Sequence, residues 1–65
     1  MKWYVVWIEN YKENSIVMEF NKMSEAATQC DKLNQYIPET SASGFEICSD
    51  ESIDDEVREA WETRE

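Results

Sequence analysis

The stretch KWYVVWIE, residues 2–9, decides how this chain folds. It is dense in β-branched and aromatic residues, which favour strands. Both alternating sets of side chains are apolar, namely Trp3, Val5 and Trp7 on one side and Tyr4, Val6 and Ile8 on the other. A strand that is apolar on both sides is typical of a strand covered on both faces. The stretch therefore predicts the central strand of a sheet.

The segments that follow predict a hairpin. The polar segment NYKENS, residues 10–15, supplies turn residues, and SIVMEFN, residues 15–21, resumes a strand pattern. The alternation predicts one apolar face with Ile16, Met18 and Phe20, and one mixed face with Val17, Glu19 and Asn21. A half-polar strand of this kind is expected at the edge of the sheet.

A helix and a third strand are predicted next. Ser24 is a candidate N-cap, and the apolar residues that follow it recur at helical spacing, at Ala26, Cys30, Leu33 and Ile37. The helix should end at Ile37, because a proline disfavours helical geometry in the residue before it. FEICS, residues 45–49, then predicts a strand with Phe45 and Ile47 facing inward, and with Cys48 sharing the other face with Glu46.

A second helix is predicted near the end of the chain. Ser52 and Asp55 have the spacing of a capping box, which would start the helix at Ile53. Its apolar stripe consists of Ile53, Val57, Ala60 and Trp61. We therefore expect Trp61 to dock this helix against the domain.

These elements predict one α+β domain over residues 1–65, with the order β-β-α-β-α. The sheet should have three antiparallel strands in the order 2-1-3, with the first helix on one face. The second helix packs either at the sheet end or on the other face. If it leaves that face open, exposed aromatic side chains would favour a homodimer.

The charge of the chain restricts its partners. The net charge is -9, from 15 acidic and 6 basic residues. Phosphate backbones and anionic membranes repel such a protein, so direct binding to nucleic acid or membrane is not expected. A basic surface would attract it, and strongly basic surfaces are typical of proteins that bind nucleic acids. We therefore predict a basic protein partner, with the chain itself either a monomer or a homodimer.

The charge is concentrated at the C-terminal end. Residues 1–49 contain four lysines and seven acidic residues, whereas residues 50–65 contain two arginines and eight acidic residues. The candidate partner-binding residues are Asp50, Glu51, Asp54, Asp55, Glu59 and Glu62. Positions 55, 59 and 62 would follow one helix face at rises of roughly 6 and 4.5 Å. Phosphates along one nucleic-acid strand advance by about 3.4 Å, so the row can imitate their charge.

A solvated helix surface is the alternative interpretation of the same residues. Asp54 and Asp55 would stabilise the helix N-terminus through the macrodipole, and each can pair with Arg58. Glu59, Glu62 and the terminal Glu65 lie toward the other end of the helix, where the dipole disfavours carboxylates. Helix stability therefore does not explain them.

The chain has no pattern of an enzyme. It has no His to act as a base, and Cys30 and Cys48 do not form a metal or redox motif. SDESIDDE, residues 49–56, lacks the spacing and the glycine of a calcium loop. We predict a non-catalytic protein without metal or cofactor. The apolar run in residues 3–8 is too short for a membrane span, and free cysteines suit a reducing compartment, so a cytoplasmic location is expected.

The short acidic chain resembles the small phage-encoded inhibitors of bacterial defence, in particular acidic anti-CRISPR proteins and other DNA mimics. The six candidate acidic residues on a compact scaffold carry this resemblance. It implies inhibition of a nucleic-acid-binding protein, for instance a CRISPR–Cas effector, by occupation of its basic channel in the host cytoplasm. The alternative function is a small assembly module that forms a homodimer through the aromatic sheet face.

Overall fold

A computed structural model describes residues 1–64. The chain forms β1 (Trp3–Glu9), β2 (Lys12–Phe20), α1 (Met23–Asn34), β3 (Gly44–Ser49) and α2 (Asp55–Glu62). The three strands make one antiparallel sheet in the order β2-β1-β3. The α+β class and the sheet order are as the sequence predicts.

The central strand is apolar on both sides because a helix covers each face of the sheet. Tyr4, Val6 and Ile8 belong to a core cluster that also includes Val57 of α2. On the other face, Val5 packs with two buried residues of α1, Ala26 and Cys30. Tyr4 is only 1% exposed, so α2 closes the face that the sequence left undecided. The domain therefore has three layers, with the sheet between the helices.

Two predictions about β2 are wrong. The strand begins at Lys12 and not at residue 15, because only residues 10 and 11 form the turn. The second concerns its inward-facing side. Val5 of β1 pairs with Met18, but Val6 pairs with Ile16, so Val17 is an extra residue in the ladder. Such a bulge reverses the inward and outward alternation of the strand. As a result Ile16 packs under α2, whereas Met18 and Phe20 pack under α1. The three residues do not share a face.

Helix α1 differs from its prediction at both ends. It begins at Met23 after Lys22, and no side chain caps it; Ser24 lies within the first turn, where its carbonyl accepts a hydrogen bond from Thr28 Oγ1. The helix ends at Asn34 and not at Ile37. The Asn34 amide bonds to the backbone of Phe45 instead, which directs the chain out of the helix toward β3.

Helix α2 begins two residues later than predicted, and its cap is Asp54. The Asp54 carboxylate accepts hydrogen bonds from the N–H groups of Glu56 and Val57. Ser52 does not form the predicted capping box, because its hydroxyl bonds to Ser49. The chain therefore makes one more turn at residues 50–53 before the helix starts. Ile53 is buried in that turn.

Candidate functional site

The candidate acidic surface comprises the turn at residues 50–53 and helix α2. The structure brings all six predicted residues to this part of the molecule. Five of them are exposed, namely Glu51, Asp54, Asp55, Glu59 and Glu62, and Asp50 is half-buried. Their carboxylates nevertheless have different surroundings, so they do not form a uniform row.

Two of the six residues support the local structure. Asp54 accepts hydrogen bonds of 2.9 and 3.3 Å from backbone N–H groups at the start of α2. Asp50 pairs with Lys2 near the chain's beginning: its N–H donates to the Lys2 carbonyl at 3.1 Å, and its Oδ2 accepts from the Lys2 N–H at 3.4 Å. The local geometry of the turn and helix explains these two residues without a partner.

Arg58 compensates part of the acidic surface. Its guanidinium lies 3.3 Å from Asp55 Oδ1 and 3.9 Å from Glu62 Oε1, and it donates to the Asp50 carbonyl at 3.2 Å. The predicted Asp55–Arg58 pair is therefore present. Asp54 is not paired with Arg58 among the salt bridges of residues 1–64, because its carboxylate serves as the cap. Exposed pairs of this kind contribute only about 0.2–1 kcal/mol each.

The carboxylates that remain available are those of Glu51, Glu56 and Glu59. All three are exposed, and within residues 1–64 none of their side chains makes a hydrogen bond or salt bridge. Glu56 is not among the six residues that the sequence predicts for this surface. The signal for Glu56 was its place three residues before Glu59, which puts both on neighbouring parts of one helix surface. Glu65 lies outside the described residues.

Contacts with β2 hold α2 in place. The Asp54 N–H donates to Glu13 Oε2 at 3.0 Å, near the start of the helix. Near its end, the Trp61 ring donates through Nε1 to Glu19 Oε1 at 3.0 Å, and Trp61 packs against the buried cluster. The docking role predicted for Trp61 is thus correct. The acidic surface lies on an element that is fixed at both ends.

The aromatic side chains of the sheet lie under helices or against one another. Tyr4 is buried beneath α2, and Trp3 packs against the cluster under α1. Trp7 is half-buried, with its ring centroid 5.0 Å from that of Phe45. The open aromatic face on which the homodimer alternative depends is therefore not present among residues 1–64.

The two thiols have surroundings that oppose ionisation. Burial, followed by the hydrogen bond to Glu13, raises the pKa of Cys48 to about 12. Burial also raises the pKa of Cys30, with the Asp31 charge adding to the effect. Since the thiolate is the nucleophile, neither group is activated.

No group of three or more acidic or cysteine side chains within residues 1–64 is arranged to hold a metal ion. None of the helices in that range is both long and apolar enough to span a bilayer. Comparison of the chain with protein-family models, curated proteins and solved structures finds no match.

Proposed function

We propose that this protein is a non-catalytic acidic inhibitor that binds the basic surface of a nucleic-acid-binding protein. It would compete there with the phosphates of DNA or RNA. A CRISPR–Cas effector is the specific target that we propose. The protein would act in the cytoplasm of the host cell and without chemistry.

The observation that supports this proposal is the position of Glu51, Glu56 and Glu59. They are exposed and have no partner among residues 1–64, although most of the chain's other charges near α2 are used in caps and pairs. Glu59 also lies in the half of α2 where the helix dipole disfavours a carboxylate. A feature that costs local stability calls for another explanation, and attraction of a basic surface provides one.

The rigidity of α2 is a second argument. Charges on a fixed element lose little conformational freedom on binding, so more of their electrostatic energy is retained as affinity. The bonds from Glu13 and Glu19 to the two ends of α2 supply that rigidity.

A capture experiment with charge-matched variants tests the proposal. The tagged protein is incubated with bacterial lysate at low and high salt, and each captured protein is then assayed for DNA binding. The test variant carries Glu51→Gln, Glu56→Gln and Glu59→Gln. The control carries Glu25→Gln, Asp31→Asn and Glu39→Gln, which remove the same charge from exposed positions elsewhere.

We expect the wild type and the control to capture one nucleic-acid-binding protein at low salt and to lose it at high salt. The reason is that salt weakens the attraction between exposed charges, which at 0.1 M decays over a Debye length of about 10 Å. The test variant should capture little of it. If the test variant captures this protein as well as the control does, the acidic surface of α2 is not the binding site.

A further inference from the structure

The two edges of the sheet are closed to different degrees. At the β3 edge, the Asn34 side chain bonds to both the N–H and the C=O of Phe45, each at 2.8 Å. Further along, the Ser49 N–H donates to Ser52 Oγ, and the Ser49 carbonyl accepts from the N–H groups of Ser52 and Ile53. An added strand would have to break these bonds. The β3 edge is therefore blocked near both ends.

The β2 edge lacks comparable bonds. Within residues 1–64, no hydrogen bond outside the strand ladder involves the backbone of Lys12–Phe20. The strand is nine residues long and contains no proline, which would have removed a donor. Such an edge can template another strand unless something covers it.

The ladder shows which backbone groups of β2 face outward. Phe45 directs its N–H and C=O away from β1, toward Asn34. Hydrogen-bonded and non-bonded residue pairs alternate along an antiparallel ladder. The pair of Trp7 and Phe45 is therefore non-bonded, and the backbone of Trp7 bonds to β2. The backbone of Tyr4, three residues earlier, bonds to β3. Glu19, which lies opposite Tyr4 in β2, consequently directs its own N–H and C=O outward.

Helix α2 lies above this edge. Its backbone runs nearest to β2, the outermost strand. Arg58 projects from the side of the helix toward the end of β3, where it reaches Asp50, so the opposite side, with Glu56 and Ala60, overhangs the β2 edge. Two clefts of about 550 and 220 Å³ lie between α2 and β2, and Val57 and Ala60 line both.

The charges around the β2 edge determine which kind of strand it can bind. The larger cleft is lined by Glu13, Asp54 and Glu56 and by one basic residue, Lys12. A second copy of this chain would bring another nine net negative charges, so it is a poor occupant. A basic strand meets this condition better.

From these observations we propose that the β2 edge, beneath the overhang of α2, binds a short extended segment of a partner protein as a fourth strand, with lysine or arginine alternating with small apolar residues. Main-chain hydrogen bonds would supply affinity, and the acidic cleft would select basic side chains. The inference goes beyond the proposed function, because it assigns a backbone contact to β2 that the outward carboxylates of α2 do not require.

Amide hydrogen exchange followed by NMR on the ¹⁵N-labelled protein tests the proposal. The probe is a capped peptide of alternating lysine and valine, about seven residues long, which is an ordinary strand length. The same peptide with N-methyl groups on alternate amides has equal charge but fewer donors. We expect the probe to slow exchange at the Glu19 amide about tenfold, and the methylated peptide to bind about tenfold more weakly, a loss of about 1.4 kcal/mol.

Two variants with equal charge changes locate the contact. Ala60→Lys places a cation in the overhang, while Glu39→Gln removes one negative charge from an exposed position elsewhere. If the strand lies under α2, Ala60→Lys should weaken binding of the probe about tenfold and Glu39→Gln less than about threefold. Absence of binding, equal binding of the methylated peptide, or binding without protection at Glu19 would each overturn the proposal. None of these results bears on whether the acidic surface captures a nucleic-acid-binding protein.

Discussion

At the scale of single residues, the ionisation of the Cys48 thiol makes the free energy of unfolding depend on pH. The thiol donates to Glu13 Oε1 at 3.3 Å, and burial with this bond raises its pKa from 9.0 to about 12. Above the unfolded-state pKa, the unfolded chain has lost the thiol proton while the folded chain keeps it. The stability contributed by this group is therefore complete below the unfolded pKa and is lost as the pH rises through the folded one.

We predict that the free energy of unfolding falls from pH 8 to about pH 10.5 and that Cys48→Ala reduces this fall. Urea unfolding at the two pH values measures it. Buried Tyr4 and Cys30 also have raised pKa values, so some decline should remain in the variant. An identical decline in wild type and variant would show that Cys48 does not contribute.

Asn34 closes the β3 edge at Phe45. Its side chain satisfies both backbone groups of Phe45. Asn34→Ala should lower the free energy of unfolding by about 1–3 kcal/mol, because both groups lose their partner. Asn34→Asp should also destabilise, since a carboxylate cannot donate to the Phe45 carbonyl. Urea titration measures both, with the exposed Gln35→Ala as control. Wild-type stability of both Asn34 variants would contradict the role.

At the scale of elements, the residue that caps the start of α2 differs between the sequence prediction and the structure. The sequence indicates Ser52, whereas the structure has Asp54 accepting from the Glu56 and Val57 N–H groups. Asp54→Ala should cost about 1 kcal/mol, and Asp54→Asn should cost much less, because Asn is an equally good N-cap. Thermal unfolding of the two variants measures the difference. Equal destabilisation by Ala and Asn would mean that the cap is not the source of the effect.

Element type and order could be predicted from local patterns, whereas one bulge and two helix boundaries could not. The double apolar alternation in residues 3–8 is enough to identify a central strand. The bulge at Val17, the early end of α1 at Asn34 and the late start of α2 all depend on contacts with distant residues. Glu13, far from α2 in sequence, bonds to Asp54, and no local pattern reports such a contact.

For the candidate site, the sequence supplied the location of the acids but not their surroundings. It identified the charge at residues 50–65 correctly, since charge is a property of composition. It could not show that Arg58 would reach Asp55, Glu62 and the Asp50 carbonyl together, because that depends on the turn at residues 50–53. The available carboxylates, Glu56 among them, become apparent only when the pairs are known.

At the scale of the whole molecule, the residues that stabilise the core are different from those that carry the charge. The sheet is covered by a helix on each face, and none of the charged residues among residues 1–64 is buried. The net charge of the chain is -9. Self-repulsion of such a charge opposes folding, and salt screens it. If the acidic surface blocks a phosphate-binding channel as we propose, binding should be tightest at low salt, because salt screens the attraction.

The most direct test of the central claim is a competition titration between this protein and duplex DNA for the partner that it captures. We expect the wild type and the Glu25/Asp31/Glu39 control to displace the DNA. The Glu51/Glu56/Glu59 variant should need at least about tenfold more protein, a loss of about 1.4 kcal/mol. Displacement of DNA by that variant as effectively as by the control, or no displacement by the wild type, would contradict the account.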